Sequence, residues 1–215
     1  MTLLVHYHRY ARSQLHGSLA RPNMRIEHRS LNSIVLPPVT STCHAISIAL
    51  AGRTPVRWKE GGEVRRVVAV QPGIASILPV GFDETETEIV SPLESLFFFL
   101  APSVTAASSL IDFDIDPSRV ELVRVPAVSD PLLKEIATAL HGVLSRPSEP
   151  TDRLFVEGAS SMLTALLIAK YSSIAGRSAP RLPSLPYDKL KRVLDLVDCC
   201  FAEEIGLDDL AAEHC

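Results

Sequence analysis

Few side chains in this 215-residue sequence have the types and spacing that catalysis or metal binding requires. His6 and His8 would lie on one side of a strand, but two imidazoles are too few for a metal site, and no third ligand follows at a useful spacing. Ser160 and Ser161 fall in an expected helix without the G-x-S-x-G turn that exposes a nucleophile. No glycine-rich phosphate loop occurs. We therefore expect no catalytic residue, no metal site and no cofactor.

The cysteines and the hydropathy favour a soluble, reduced protein. Cys43, Cys199, Cys200 and Cys215 show no C-x-x-C spacing, and adjacent cysteines rarely form a disulfide because of its geometry. Reduced thiols in the cytoplasm are the expectation. No run of eighteen apolar residues predicts a membrane span, and the N-terminus lacks the apolar segment of a secretory signal.

The predicted secondary structure that must position a site changes along the chain, from an irregular arm to short strands. Residues 1–30 are rich in Arg and His without a clear period, and we expect an irregular arm there. From Ser33 to Val125 short runs alternate between apolar and polar residues, with Gly61-Gly62 and Pro72-Gly73 as turns. Short strands at this spacing predict an antiparallel sandwich or small barrel. Leu96–Ala101 predicts a buried strand and RVELVRV the last one.

After Pro126 the apolar period becomes helical. A first helix is expected to be capped by Ser129, and a second runs from about Thr151 to Ser172. The second half of that helix, MLTALLIA, is apolar nearly all round, which predicts burial on more than one side. A Pro- and Gly-containing stretch, residues 176–186, predicts a linker before a third helix.

The charge is distributed unevenly. The net formal charge is −4. Residues 1–66 carry ten basic against three acidic residues, a net +7, whereas residues 186–215 carry three against eight, a net −5. DNA-binding surfaces concentrate positive charge because phosphate neutralisation supplies much of the affinity. The acidic end is therefore expected not to bind DNA alone.

Three stretches resemble the AraC/XylS family of bacterial transcription regulators. SDPLLKEIATALHGVL and DRLFVEGASSMLTALLIAKYS are similar to the helical pair that follows the sensor barrel in that family. LPYDKLKRVLDLVDCCFAEEIGLDDLAAEHC is similar to the opening of its DNA-binding domain. The residues that match the packing pattern of that opening are Leu190, Arg192, Val193, Val197, Leu207, Leu210 and Ala211.

The resemblance implies an α+β fold. An N-terminal cupin-like β-barrel would be followed by an antiparallel helical hairpin and the incomplete start of an all-α helix-turn-helix domain. The expected divisions are an arm (1–30), a cupin-like effector-sensing domain (31–126), a dimerisation hairpin (127–175), a linker (176–186) and the helix-turn-helix start (187–215).

The resemblance also implies partners and sites. A small-molecule effector would bind in the barrel, and strand position and chemistry select His44, Trp58, Ser76 and Phe82 as its candidate contacts. The second helix would pair two copies through Met162, Leu163, Leu166 and Leu167. DNA would be bound through the family's C-terminal domain, and no membrane partner is expected.

We expect a ligand-responsive regulator, not an enzyme, that is truncated before the recognition helix. Since the second helix of a helix-turn-helix reads the bases, this chain would not read DNA alone. Two alternatives stay open: an effector-binding or dimerisation module without a DNA-binding role, and a cupin enzyme. The His-x-His signature of metal-binding cupins is absent from the β region, which disfavours the enzyme.

Overall fold

The computed structural model describes residues 13–60, 64–105 and 115–175. These residues belong to the first of the two units into which the chain divides, Met1–Gly176. The predicted linker and the predicted helix-turn-helix start lie outside the described residues.

The described residues form twelve strands followed by two helices. The strands are β1 (Ser13–Ala20), β2 (Met24–Leu31), β3 (Ile34–Leu36), β4 (Val39–Thr40), β5 (His44–Gly52), β6 (Thr54–Glu60), β7 (Val64–Val70), β8 (Ile74–Leu78), β9 (Asp83–Glu84), β10 (Thr87–Ile89), β11 (Leu93–Leu100) and β12 (Val125–Ser129). The helices are α1 (Pro131–Leu144) and α2 (Asp152–Tyr171).

All pairings between these strands are antiparallel. A six-stranded sheet has the order β1-β2-β11-β5-β8-β12, a four-stranded sheet has the order β3-β10-β6-β7, and β4 pairs with β9. The strands precede the helices in the chain, so the fold is α+β, as predicted.

Two apolar cores lie on the two faces of the six-stranded sheet. On one face Leu96, Phe98 and Leu100 of β11 pack with residues of α1 and α2. On the other face Phe97 and Phe99 pack against residues of the four-stranded sheet. Because both faces of β11 are covered, the strand is apolar almost throughout, and the prediction of a buried strand at this position is confirmed.

The N-terminal segment is more regular than its composition indicates. Residues 13–20 and 24–31 form β1 and β2, where the sequence predicts an irregular arm. The alternation of β2 is masked because its second face carries two charged residues, Glu27 and Arg29, that are buried together. Arg29 Nε donates to Glu27 Oε2 at 2.6 Å. The pair neutralises its own charge, so burial is possible without an apolar side chain.

One hairpin and one turn follow the sequence closely. β6 pairs with β7 as far as Glu60 and Val64, on either side of the predicted glycine turn. Gly73 has φ +87°, a left-handed conformation that suits glycine in the predicted Pro-Gly turn.

The last predicted strand is displaced. Residues 117–119 form a short 3-10 turn, and β12 begins only at Val125. The intervening segment pairs with the end of α2 instead of a sheet: Val123 N donates to Tyr171 O at 2.8 Å and Ser173 N to Glu121 O at 2.7 Å. The sheet therefore reaches past residue 126, beyond the predicted boundary of the sensing domain.

Both predicted helices are present, and one side chain connects them. Asp130, not Ser129, caps α1: its Oδ1 accepts from the amides of Leu132 and Leu133 at 2.9 and 3.3 Å. Its Oδ2 accepts from Lys170 Nζ at 2.9 Å and from Tyr171 Oη at 2.7 Å, both at the end of α2. The start of α1 is thereby joined to the end of α2.

Candidate functional site

The candidate site is a cavity between the six-stranded and four-stranded sheets. Its volume is about 80 Å³. One buried water needs ~10–15 Å³ in this measure, so several waters or a small molecule would fit. Its lining is apolar on most sides, with a few polar groups; the polar and aromatic members are Ser47, Trp58, Ser76, Glu84, Thr87, Ser95, Phe97 and Arg124.

Two of the four predicted contacts, Trp58 and Ser76, line this cavity. Trp58 lies on β6, opposite Thr87 of β10, and is the one tryptophan of the sequence. Ser76 lies on β8 opposite Ser47 of β5, and their hydroxyl oxygens are 2.8 Å apart. A hydroxyl pair and an indole in one cavity suit a ligand that has both polar groups and an apolar face.

A carboxylate and a guanidinium also line the cavity. Arg124 Nη2 lies 3.6 Å from Glu84 Oε1, and both side chains are about one-fifth exposed. Arg124 Nη1 also donates to the carbonyls of Ile77 and Val125 at 3.2 and 3.0 Å, which fixes its position. Burial raises the pKa of Glu84, and the charge of Arg124 opposes that shift. The site thus offers a ligand both a fixed cation and a carboxylate.

The other two predicted contacts lie elsewhere. His44 is on the opposite face of β5, where it is buried; the amide of Val80 donates to its Nδ1 at 3.2 Å, and its Nε2 lies 3.3 Å from Thr105 Oγ1. Burial lowers the pKa of His44. Phe82 is 38% exposed, and its ring lies 5.7 Å from the guanidinium carbon of Arg124. Phe82 therefore contacts a cavity residue without lining the cavity itself.

The sequence did not indicate Glu84 and Arg124 as site residues. Glu84 belongs to a row with Glu86 and Glu88 that alternation alone places in water. In the structure the alternation is interrupted between β9 and β10. As a result Glu84 lines the cavity, whereas Glu88 pairs with Arg57 at 3.2 Å.

The predicted dimer residues fall into two groups. Leu163, Leu166 and Leu167 are buried in the chain's own core, between α2 and the sheet. Met162 is 46% exposed. It belongs to what we call the α1–α2 apolar face, which consists of the exposed Leu132, Leu154, Phe155 and Met162.

Two further predictions concern partners. The seven residues of the predicted DNA-binding pattern, Leu190 to Ala211, lie outside the described residues. Within the described residues, α2 is long and apolar enough to cross a membrane by length and composition alone. Core helices of soluble proteins pass the same test, and seven residues of α2 are buried against the rest of the chain.

Comparison with known proteins gives no assignment from sequence. No family model and no curated protein matches the chain. Among solved structures, the AraC-like transcriptional activator CuxR aligns with 94% of this chain and 69% of its own, at 14% identity and a TM-score of 0.49. The EutQ protein of Clostridium difficile covers 41% of this chain and 68% of its own, at 12% identity and a TM-score of 0.34. A cupin superfamily protein of Desulfitobacterium hafniense covers 43% and 81%, at 8% identity and a TM-score of 0.32. At these values the similarities assign neither a family nor a function.

Proposed function

We propose that this chain is the sensing part of a ligand-responsive transcription regulator of the AraC/XylS type. The observation that carries the proposal is the cavity between the sheets, with Trp58, Ser76, Glu84 and Arg124 in its lining. A mostly apolar cavity with a few convergent polar groups is the usual form of a small-molecule site. The order of strands and helices and the sequence resemblance of the C-terminal third support the proposal that this cavity belongs to a regulator.

The effector is a small polar molecule. A volume of about 80 Å³ limits its size unless the sheets move apart. Its polar groups would exchange hydrogen bonds with the Ser47–Ser76 hydroxyl pair, and an anionic or hydroxyl group would reach Arg124. Its apolar face would lie against the indole of Trp58.

The role is binding and not catalysis. The cavity residues that the structure describes offer a metal ion one carboxylate, that of Glu84, and no imidazole. Metal-dependent hydrolytic and oxidative sites use two or more such ligands. This donor set is our reason for proposing a non-enzymatic sensor.

The helical hairpin would join two copies. The α1–α2 apolar face leaves four large apolar side chains in solvent, and contiguous apolar patches of this kind mark interaction sites. A second copy presenting the same face would form a self-complementary two-fold contact. We propose a homodimer built on this face.

A second proposal belongs to another functional class: an effector-binding or dimerisation module that does not contact DNA. The net charge of −5 over residues 186–215 favours it. The two proposals share the cavity and differ in whether the chain contributes to DNA binding.

A thermal-shift screen tests the cavity. Small polar compounds with an apolar face should raise the melting temperature of the wild-type chain. Ser76→Val should weaken binding at least about fivefold, because it removes a hydroxyl worth ~1 kcal/mol and also fills part of the cavity. Ser18→Val, at an exposed position of β1, is the matched control and should bind as the wild type does. If no compound stabilises the chain, or if both variants respond equally, the cavity is not the binding site.

A further inference from the structure

Three side chains from three elements meet on the helix-covered face of the six-stranded sheet. His28 lies on β2, Glu94 on β11 and His141 in the last turn of α1. One ligand atom from each lies within 4.8 Å of the other two. This cluster is on the opposite face of the sheet from the cavity, since His28 shares its face with Met24 and Ile26, which pack in the core beneath the helices.

The cluster is compact enough to surround a metal ion. His28 Nε2 lies 2.5 Å from Glu94 Oε1, and the rings of His28 and His141 are edge-to-face with centroids 4.5 Å apart. A tetrahedral ion bound at ~2.0–2.2 Å holds its ligand atoms roughly 3.3–3.5 Å apart. The ligand atoms lie from 2.5 Å to at most 4.8 Å apart, a range that includes this spacing, and a bound ion would replace the His28–Glu94 hydrogen bond.

Two features of the cluster suit a cation. Glu94 contributes a carboxylate beside the two imidazoles. The α1 carbonyls point toward the end of the helix where His141 lies, and a helix C-terminus attracts positive charge.

Solvent reaches the cluster, and another imidazole ring lies beside it. The side chains of His28 and Glu94 are 13% and 37% exposed, so an ion can enter from solvent. A further imidazole, that of His16 on β1, lies with its centroid 4.9 Å from that of His28. His16 Nε2 is 2.7 Å from Ser30 Oγ, which holds this ring beside the cluster.

We propose that His28, Glu94 and His141 bind a divalent transition-metal ion of the Zn²⁺ type, which clamps α1 onto the sheet. Two imidazoles and one carboxylate are a common zinc ligand set, and water takes the fourth position. The ion links β2 and β11 to α1, so its binding stabilises the attachment of the helices to the sheet. The inference does not depend on the effector cavity or on DNA binding.

This proposal departs from the expectation of no metal site. The sequence separates the three ligands by 66 and 47 positions, and none belongs to a recognisable ligand motif. Only the pairing of β2 with β11 and the packing of α1 bring them together. Sequence spacing therefore could not indicate this site.

Zinc titration of the full chain by calorimetry, after treatment with a chelator, tests the proposal. The background for all variants replaces the remaining donors near the two termini, so that they do not bind the ion: His6, His8, Cys199, Cys200, His214 and Cys215. We expect this background to bind one equivalent of Zn²⁺ at pH 7.5 and to melt at a higher temperature with zinc. Glu94→Gln and His141→Gln should each weaken binding by at least about tenfold.

Glu135→Gln, on the exposed surface of α1, is the matched control and should leave the affinity unchanged. Circular dichroism of each variant without metal separates a loss of binding from a loss of folding. His141→Gln keeps the test valid if a β-strand variant does not fold, because His141 is only partly buried and Gln favours helix. A background chain that binds no zinc would overturn the proposal, as would folded ligand variants that bind zinc with unchanged affinity.

Discussion

The side chain of Asp130, just before α1, accepts hydrogen bonds from residues of both helices. Burial by itself raises the pKa of Asp130, but hydrogen bonds from Tyr171, Lys170 and the amides of Leu133 and Leu132 outweigh that effect and hold the pKa at about 2. The charged carboxylate is therefore the form that joins α1 to α2.

Asp130→Asn should lower the free energy of unfolding by about 1–3 kcal/mol at pH 7, because a buried, charge-assisted hydrogen-bond acceptor is weakened. The folded pKa lies below the ordinary value, so the contribution is present above about pH 4 and is lost as pH falls toward 2. Denaturant unfolding of both proteins across this range checks the prediction.

Asp116→Asn is the control, since Asp116 caps a short 3-10 turn at an exposed position. It should change stability much less than Asp130→Asn does. A stability difference between the wild type and Asp130→Asn that stays constant from pH 7 to pH 2 would show that the charge of Asp130 is not the source.

At the scale of single residues, strand position identified half of the proposed cavity contacts. Trp58 and Ser76 could be predicted because they lie on regular strands whose alternation fixes their side. His44 alternates onto the other face of its strand, and the sequence did not show which face was which. Arg124 lies within the segment predicted as the last strand, but the residues just before it bond to α2 and the turn after it, so its direction could not be read from alternation.

At the scale of elements, the proposed dimer depends on which side of α2 is free. The expectation that Leu166 faces a partner does not fit its burial, whereas Phe155 is 47% exposed on the α1–α2 apolar face. Phe155→Asp should dissociate the dimer with little change in the melting temperature, because the new charge lies at the interface and not in the core. Sedimentation velocity and thermal denaturation measure the two effects.

Leu166→Asp should instead destabilise the fold itself, by ~3 kcal/mol or more, because an unpaired charge would be buried. Thr138→Asp adds the same charge to an exposed position of α1 outside that face, and it should leave the dimer intact. A wild-type chain that sediments as a monomer would contradict the proposed interface.

Most strands and both described helices could be predicted from the sequence, and the exceptions all depend on tertiary contacts. Periodicity identified β5 to β8, β11 and both helices, since one face of each is apolar. It missed β1 and β2, and in β2 the buried Glu27–Arg29 pair replaces apolar residues on one face. It misplaced the last strand, where backbone groups bond to the end of a helix. Both cases depend on tertiary partners that a local pattern does not contain.

At the scale of the whole molecule, the distribution of charge bears on DNA binding. The acidic residues 186–215 would repel phosphates. We expect the chain alone to give no sequence-specific shift of a promoter fragment from upstream of its own gene, even at low salt. A scrambled fragment of equal length is the control, and specific retention of the promoter fragment would contradict this prediction.

The order of layers could be predicted from the sequence, but the closure of the sheets around a cavity could not. Strands followed by helices already predict α+β. Which residues face one another across the two sheets depends on the sheet order, in which β11 lies between β2 and β5. No local signal gives that order, because β11 follows its neighbours by more than forty residues.

The emission of Trp58 is the most direct test of the effector cavity, because it is the one tryptophan of the chain and lines the proposed site. A compound that stabilises the chain should shift or quench this emission saturably and should shield the indole from acrylamide. Ser76→Val should weaken that response while Ser18→Val preserves it. A stabilising compound that leaves the emission of Trp58 and its quenching unchanged would contradict the account.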